Sequence, residues 1–97
     1  MKPNDSAIFH GVGADLAITT HTDEDGYHAD VLFSCPEGSR VMEGLDETGH
    51  GFHRKSMFGA IKLALLSGLG SCIMSGYPSA SLRETVKETM MDLGIET

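Results

Sequence analysis

The residues in this chain that could do chemistry are few. The first group is His50 and His53 in the stretch HGFH, together with Cys35 and Cys72. Imidazole nitrogen and thiolate are the ligands of tetrahedral zinc, and a glycine-rich loop would leave the two histidines free to converge. Structural zinc sites usually draw ligands in pairs a few residues apart, whereas here each cysteine stands alone among apolar residues. These four are weak metal candidates and no cofactor is expected. A small metal-dependent or histidine-using enzyme built on His50, His53 and Cys35 is the alternative reading. Asp23, Asp25 and Gly26 resemble the opening of a calcium loop, but the first ligand position would then be His21 and the twelfth Leu32. An ordinary Asp-Gly turn accounts for them.

A carboxylate that orients an imidazole can make it a general base. If strands pair across Asp25-Gly26, Asp23 faces His28 and His21 faces Asp30 in that relation. Ser34 shares their face but is displaced along the sheet, and an open sheet surface excludes no water. Weak cross-strand pairs of about 0.2–1 kcal/mol each are the simpler account. Gly68, Gly70 and Gly76 follow a helical pattern, the wrong order for a phosphate loop, which follows a strand and opens a helix. Met57, Met74 and Met90 fall on expected core faces. No catalytic residue is assigned.

The elements that must position these groups can be read from periodicity. Asp25-Gly26 is a primed-turn dipeptide flanked by alternating segments, and pairing Glu24 with Tyr27 collects Leu16, Ile18, Thr20, Thr22, Ala29, Val31, Phe33 and Cys35 on one apolar face. Cys35-Pro36-Glu37-Gly38 reads as a type I turn into a third strand, Ser39 to Leu45. That strand would set Val41 opposite Phe33 and Leu45 opposite Ala29, with Glu43 on the core side as an edge-blocking charge. Asp46 to Gly51 (DETGHG) is a loop by composition. Helical spacing then predicts a first helix from Arg54 to Ser67 stopped by Gly68, with Leu63 and Leu66 off the main stripe. Cys72-Ile73-Met74 forms either a short fourth strand or a packed loop. Ser81 with Glu84 marks the capping box of a second helix, which Gly94 ends, with Ile95 placed against Met90 as in a Schellman cap. The expected fold is α+β: a three-stranded antiparallel β-meander packed against two α-helices (βββαα), one domain over residues 1–97, with residues 1–14 flexible or peripheral.

Composition bounds what such a domain does. With 40% apolar and 22% charged residues the chain belongs to the globular class. Met1 to Ser6 runs into turn formers with no apolar stretch behind it, and the longest apolar run, Met57 to Leu66, is interrupted by Lys62 at about half the length of a membrane span. A soluble, cytoplasmic protein is expected. The net charge of −7 is uneven. Between Asp15 and His53 nine carboxylates (Asp15, Asp23, Glu24, Asp25, Asp30, Glu37, Glu43, Asp46 and Glu47) face Arg40 alone, whereas from Arg54 onward five bases outnumber four acids. Such a field repels a phosphate backbone and attracts a basic protein surface. Direct nucleic-acid binding is therefore not expected, nor is membrane association.

The order of strand, Asp-Gly turn, aromatic-led strand, Pro-Gly turn and a helix with Ala60-Ile61 and Ala64-Leu65 resembles the HicB type of small antitoxin over about Asp25 to Leu66. The doubled glycine before the aromatic and the Pro-Gly-Cys segment of that family are absent in that order. The resemblance implies a protein that neutralises a basic partner, the same expectation that the charge map raises. Asp23, Glu24, Asp25, Asp30, Glu43, Asp46 and Glu47 are the expected partner-binding residues, in a non-enzymatic inhibitor of the antitoxin, immunity-protein or phage-antagonist kind. A third reading is a structural homodimer joined through Leu63 and Leu66.

Overall fold

Residues 1–34, 46–77 and 79–95 are described by a computed structural model. The element order is β1 (Ser6–His10), β2 (Asp15–Thr22), β3 (Tyr27–Ser34), β4 (Glu47–His53), α1 (Met57–Met74) and α2 (Ser79–Leu93). The strands form one antiparallel sheet in the order β1-β2-β3-β4. Helix α1 lies across β3 and β4, and α2 packs beside it. The fold is α+β, a meander covered by two helices, with four strands where the periodicity predicts three.

The β2–β3 hairpin keeps the expected faces but not the expected register. Thr22 pairs with Tyr27 and Leu16 with Phe33, so four residues, Asp23 to Gly26, form the connection in place of two. A two-residue shift preserves the side-chain alternation. Leu16, Ile18, Thr20, Ala29, Val31 and Phe33 are accordingly all buried on one face. The larger loop is set by Asp23, whose Oδ1 accepts the backbone N–H of Asp25 at 2.9 Å and of Gly26 at 3.2 Å, an Asx turn that competes with the two-residue form.

The strand beside β3 is a correction. Phe33 faces Glu47 and Ala29 faces Gly51, so the DETGHG segment expected as a loop is most of β4, and the partners expected at Val41 and Leu45 are displaced by six residues. The expected strand from Ser39 to Leu45 lies outside the described residues. The glycines of β4 misdirect the composition argument because they serve contact with a helix. A Cβ on Gly49 would overlap the Ala64 carbonyl oxygen, and one on Gly51 the Ala60 carbonyl oxygen, so α1 rests its backbone directly on β4.

Helix α1 starts at the Ser56 cap, whose Oγ accepts the Gly59 N–H at 3.0 Å. It does not stop at Gly68. That glycine lies mid-helix against the Phe33 ring, which any side chain there would overlap. The stop comes at Gly76 (φ 92°), where Gly76 N donates to Ile73 O and Tyr77 N to Cys72 O, the two bonds of a Schellman cap. Cys72-Ile73-Met74 is thus the last turn of α1 and not a fourth strand. At 18 residues α1 is long and apolar enough to cross a membrane by length and composition, unlike the shorter run expected, and it is laid along the sheet against β3 and β4.

Helix α2 begins at Ser79, so Ser81, expected as its cap, lies inside the first turn of the helix. Its end is as predicted: Ile95 N donates to Met90 O at 2.8 Å and Gly94 N to Met91 O at 3.0 Å. Thr85, buried on α2, accepts the Gly13 N–H at 2.9 Å and so ties the β1–β2 turn to the helical layer. Residues 6–10 form the sheet's edge strand, and the arm before them is held by Thr20, whose buried hydroxyl donates to Lys2 O at 2.7 Å.

Candidate functional site

Both helices lie on one side of the sheet, so alternate residues of every strand project from the other side, which no described element covers. Register places Ile8 and His10 of β1, Asp15 and His21 of β2, His28, Asp30 and Leu32 of β3, and His50 and Phe52 of β4 on this open face. Ile8 is 65% exposed, Leu32 39% and Phe52 37%.

The polar groups here are organised around His28. Its ring stacks on His21 with centroids 4.6 Å apart and planes 2° from parallel, and it lies 4.9 Å from the Phe52 ring and 5.8 Å from His50. Three carboxylates each hold one imidazole: Asp23 to His28 at 2.9 Å, Asp30 to His50 at 2.7 Å and Asp15 to His10 at 3.0 Å. A carboxylate can only accept, so the contacting nitrogen carries the proton: Nε2 in His28, Nδ1 in His50 and His10. The expected pairing of Asp23 with His28 is present, made from the loop. That of His21 with Asp30 is not, because the register shift sets His21 against His28 and Asp30 against His50.

At the hairpin tip Glu24, Asp25, His28, Phe52 and Arg54 line a recess of about 580 Å³. The tip is preformed. Asp23 bonds the amides of Asp25 and Gly26, Thr22 Oγ1 donates to Gly26 O at 3.0 Å, and Gly26 (φ 147°) sits where a side chain would overlap the backbone of His53 and Arg54. The Asp25 N–H bond is the largest influence on the Asp23 carboxyl; desolvation, the next largest, opposes it, and the smaller contributions of the Gly26 N–H and the His28 imidazole leave the carboxyl below its ordinary value.

The other candidates are dispersed. His50 and His53 are three residues apart on one strand and project to opposite faces. His53 Nδ1 accepts the Lys55 and Ser56 N–H groups at 3.1 and 2.9 Å, fixing the turn into α1. Cys72 is buried in α1, and Cys35 lies outside the described residues. Among the described residues no group of three or more His, Cys, Asp or Glu is arranged to hold a metal ion. Ser34 is opposite Asp15, about 20 Å along β3 from His28 at the usual rise per residue. Of the acidic residues, Asp23, Glu24, Asp25 and Asp30 share the tip and the open face. Glu47 turns to the helical side and accepts the Ser75 hydroxyl at 2.7 Å; Asp46 precedes it, and Glu43 lies outside the described residues. Leu63 and Leu66 are 48% and 45% exposed on the outer side of α1.

Sequence reasoning missed Phe52, Ile8, Leu32 and His10. The signal for Phe52 was present in GHGFH, where glycines alternate with His50 and Phe52 at period two. No protein-family model, curated protein or solved structure matches the chain.

Proposed function

We propose that this is a small non-enzymatic binding protein that engages a basic surface of another protein through the open sheet face and the hairpin tip, and thereby inhibits or neutralises that partner. The supporting observation is the convergence of the Glu24 and Asp25 carboxylates with the His28 and Phe52 rings around one recess, where two carboxylates stand against the single cation of Arg54. A guanidinium is planar, pairs with carboxylates and stacks on aromatic and imidazole faces, so an arginine-bearing surface is the chemistry this recess fits. The carboxylate-oriented imidazoles argue less for catalysis, since they lie on an exposed face and no serine or cysteine among the described residues pairs with them. A cytoplasmic setting, with neither nucleic acid nor membrane as the direct target, accords with the acidic face.

The test is affinity capture with the tagged protein from extract of its native cells, washed at low and high salt and read by mass spectrometry. One stoichiometric basic partner released by salt is the expected result. The variant Glu24→Gln/Asp25→Asn, which leaves the Asp23 turn intact, should weaken that complex by about tenfold and flatten its salt dependence. Unchanged affinity would count against the tip as the contact.

A further inference from the structure

On the helical side of the molecule, away from the acidic tip, a second surface has the opposite character. Between α1 and α2 runs a shallow groove of about 370 Å³. Its floor is Leu69, Val86 and Met90, and Leu66, 45% exposed, forms one wall. Three cations rim it: Lys62 from α1, and Arg83 and Lys87 from α2. Lys62 is the one charged residue of α1. On α2, Arg83 and Lys87 are four apart and so share a face, whereas Glu84 and Glu88 are turned about 100° further round the helix. Among the described residues no carboxylate lines the groove. A chain of net charge −7 has thus gathered three of its seven bases around its apolar helical cleft.

We infer that the α1/α2 groove is a docking site for an acidic amphipathic helix of a partner protein. Apolar side chains at i, i+3 or i+4 and i+7 of such a helix would cover Leu66 and the floor, and flanking Glu or Asp would meet Lys62, Arg83 and Lys87. An acyl chain or drug-sized ligand fits less well, because such ligands are mostly enclosed and this groove is open along its length. A phosphate backbone would leave the apolar floor without a partner. The surface is separate from the sheet face, so this inference stands or falls independently of the proposed function.

The test is selection from a displayed library of amphipathic helices with leucine at helical spacing and Glu, Lys or Ser randomised at flanking positions. Glu-flanked members should be enriched over Lys-flanked members by at least about tenfold, and a selected peptide should bind more weakly by a similar factor to Leu66→Glu and to Arg83→Glu/Lys87→Glu. These positions are solvent-facing, and unchanged circular dichroism and melting would verify the fold of each variant. Absence of enrichment, enrichment of Lys-flanked helices, or binding to either variant as tight as to the unsubstituted protein would overturn the inference. So would light scattering that finds a dimer dissociated by Leu66→Glu, since a second copy would then be the occupant.

Discussion

The two faces of the sheet are built by the same strands from alternate residues, yet they do different work. On β3, Ala29, Val31 and Phe33 are wholly buried beneath α1, while His28, Asp30 and Leu32 between them remain accessible. Burying a large apolar side chain contributes about 1.5–3 kcal/mol, whereas a cross-strand polar pair in water contributes about 0.2–1 kcal/mol. Stability therefore resides on the covered face. The open face can carry apolar, imidazole and carboxylate groups that the fold does not need, and this contrast is the ground on which we propose it as the contact surface.

Substitution should separate the faces by size of effect. The largest loss is expected for Phe33→Ala, which empties a position packed against Gly68 and should cost about 4 kcal/mol in denaturant unfolding. Next is Gly51→Ala, at about 3 kcal/mol, because the added methyl meets the Ala60 carbonyl of α1, and two backbones cannot both yield as a flexible side chain would. On the open face, Phe52→Ala should change stability by no more than about 1 kcal/mol while weakening capture of a basic partner. If Phe52→Ala proved as destabilising as Phe33→Ala, the open face would be a second core awaiting cover, and the proposed division of labour would fail.

What could be read from the chain follows the same division. The covered face was legible because period-two burial survives a two-residue register error, so Leu16 to Phe33 fell on the correct side although the backbone pairing of β2 with β3 was shifted. The Schellman end of α2 was legible because Gly94 and Ile95 act locally. Strand β4 was not, since Gly49 and Gly51 are required by a helix that contacts them only after folding, and glycine in sequence reads first as a turn. Gly68 misled for the same reason: its small size accommodates Phe33, a residue remote in sequence. The histidine cluster was half legible. The Asp23 and His28 pair was anticipated, but the stack of His21 on His28 and the approach of His50 and Phe52 depend on the register and on the unforeseen strand.

The smallest expected effect is at the hairpin tip. Asp23 accepts the N–H groups of Asp25 and Gly26 on one oxygen and the His28 Nε2–H on the other, and these bonds, led by that to Asp25, lower its pKa from 3.8. A carboxyl whose pKa is lower when folded favours the fold above its unfolded value, about 3.9, and that contribution is lost as pH falls through the folded value. The tip should therefore keep its turn throughout the neutral and mildly acidic range and loosen only below the ordinary carboxylate range. Carbon-detected NMR titration of the Asp23 carboxyl should give a midpoint below 3.8, with the Asp25 and Gly26 amide shifts moving in step. A midpoint at or above that value would mean that the turn is not held in solution. Glu24 and Asp25 would then have no fixed geometry against Phe52, and the open face would retain its charge while losing the preformed recess on which arginine recognition depends.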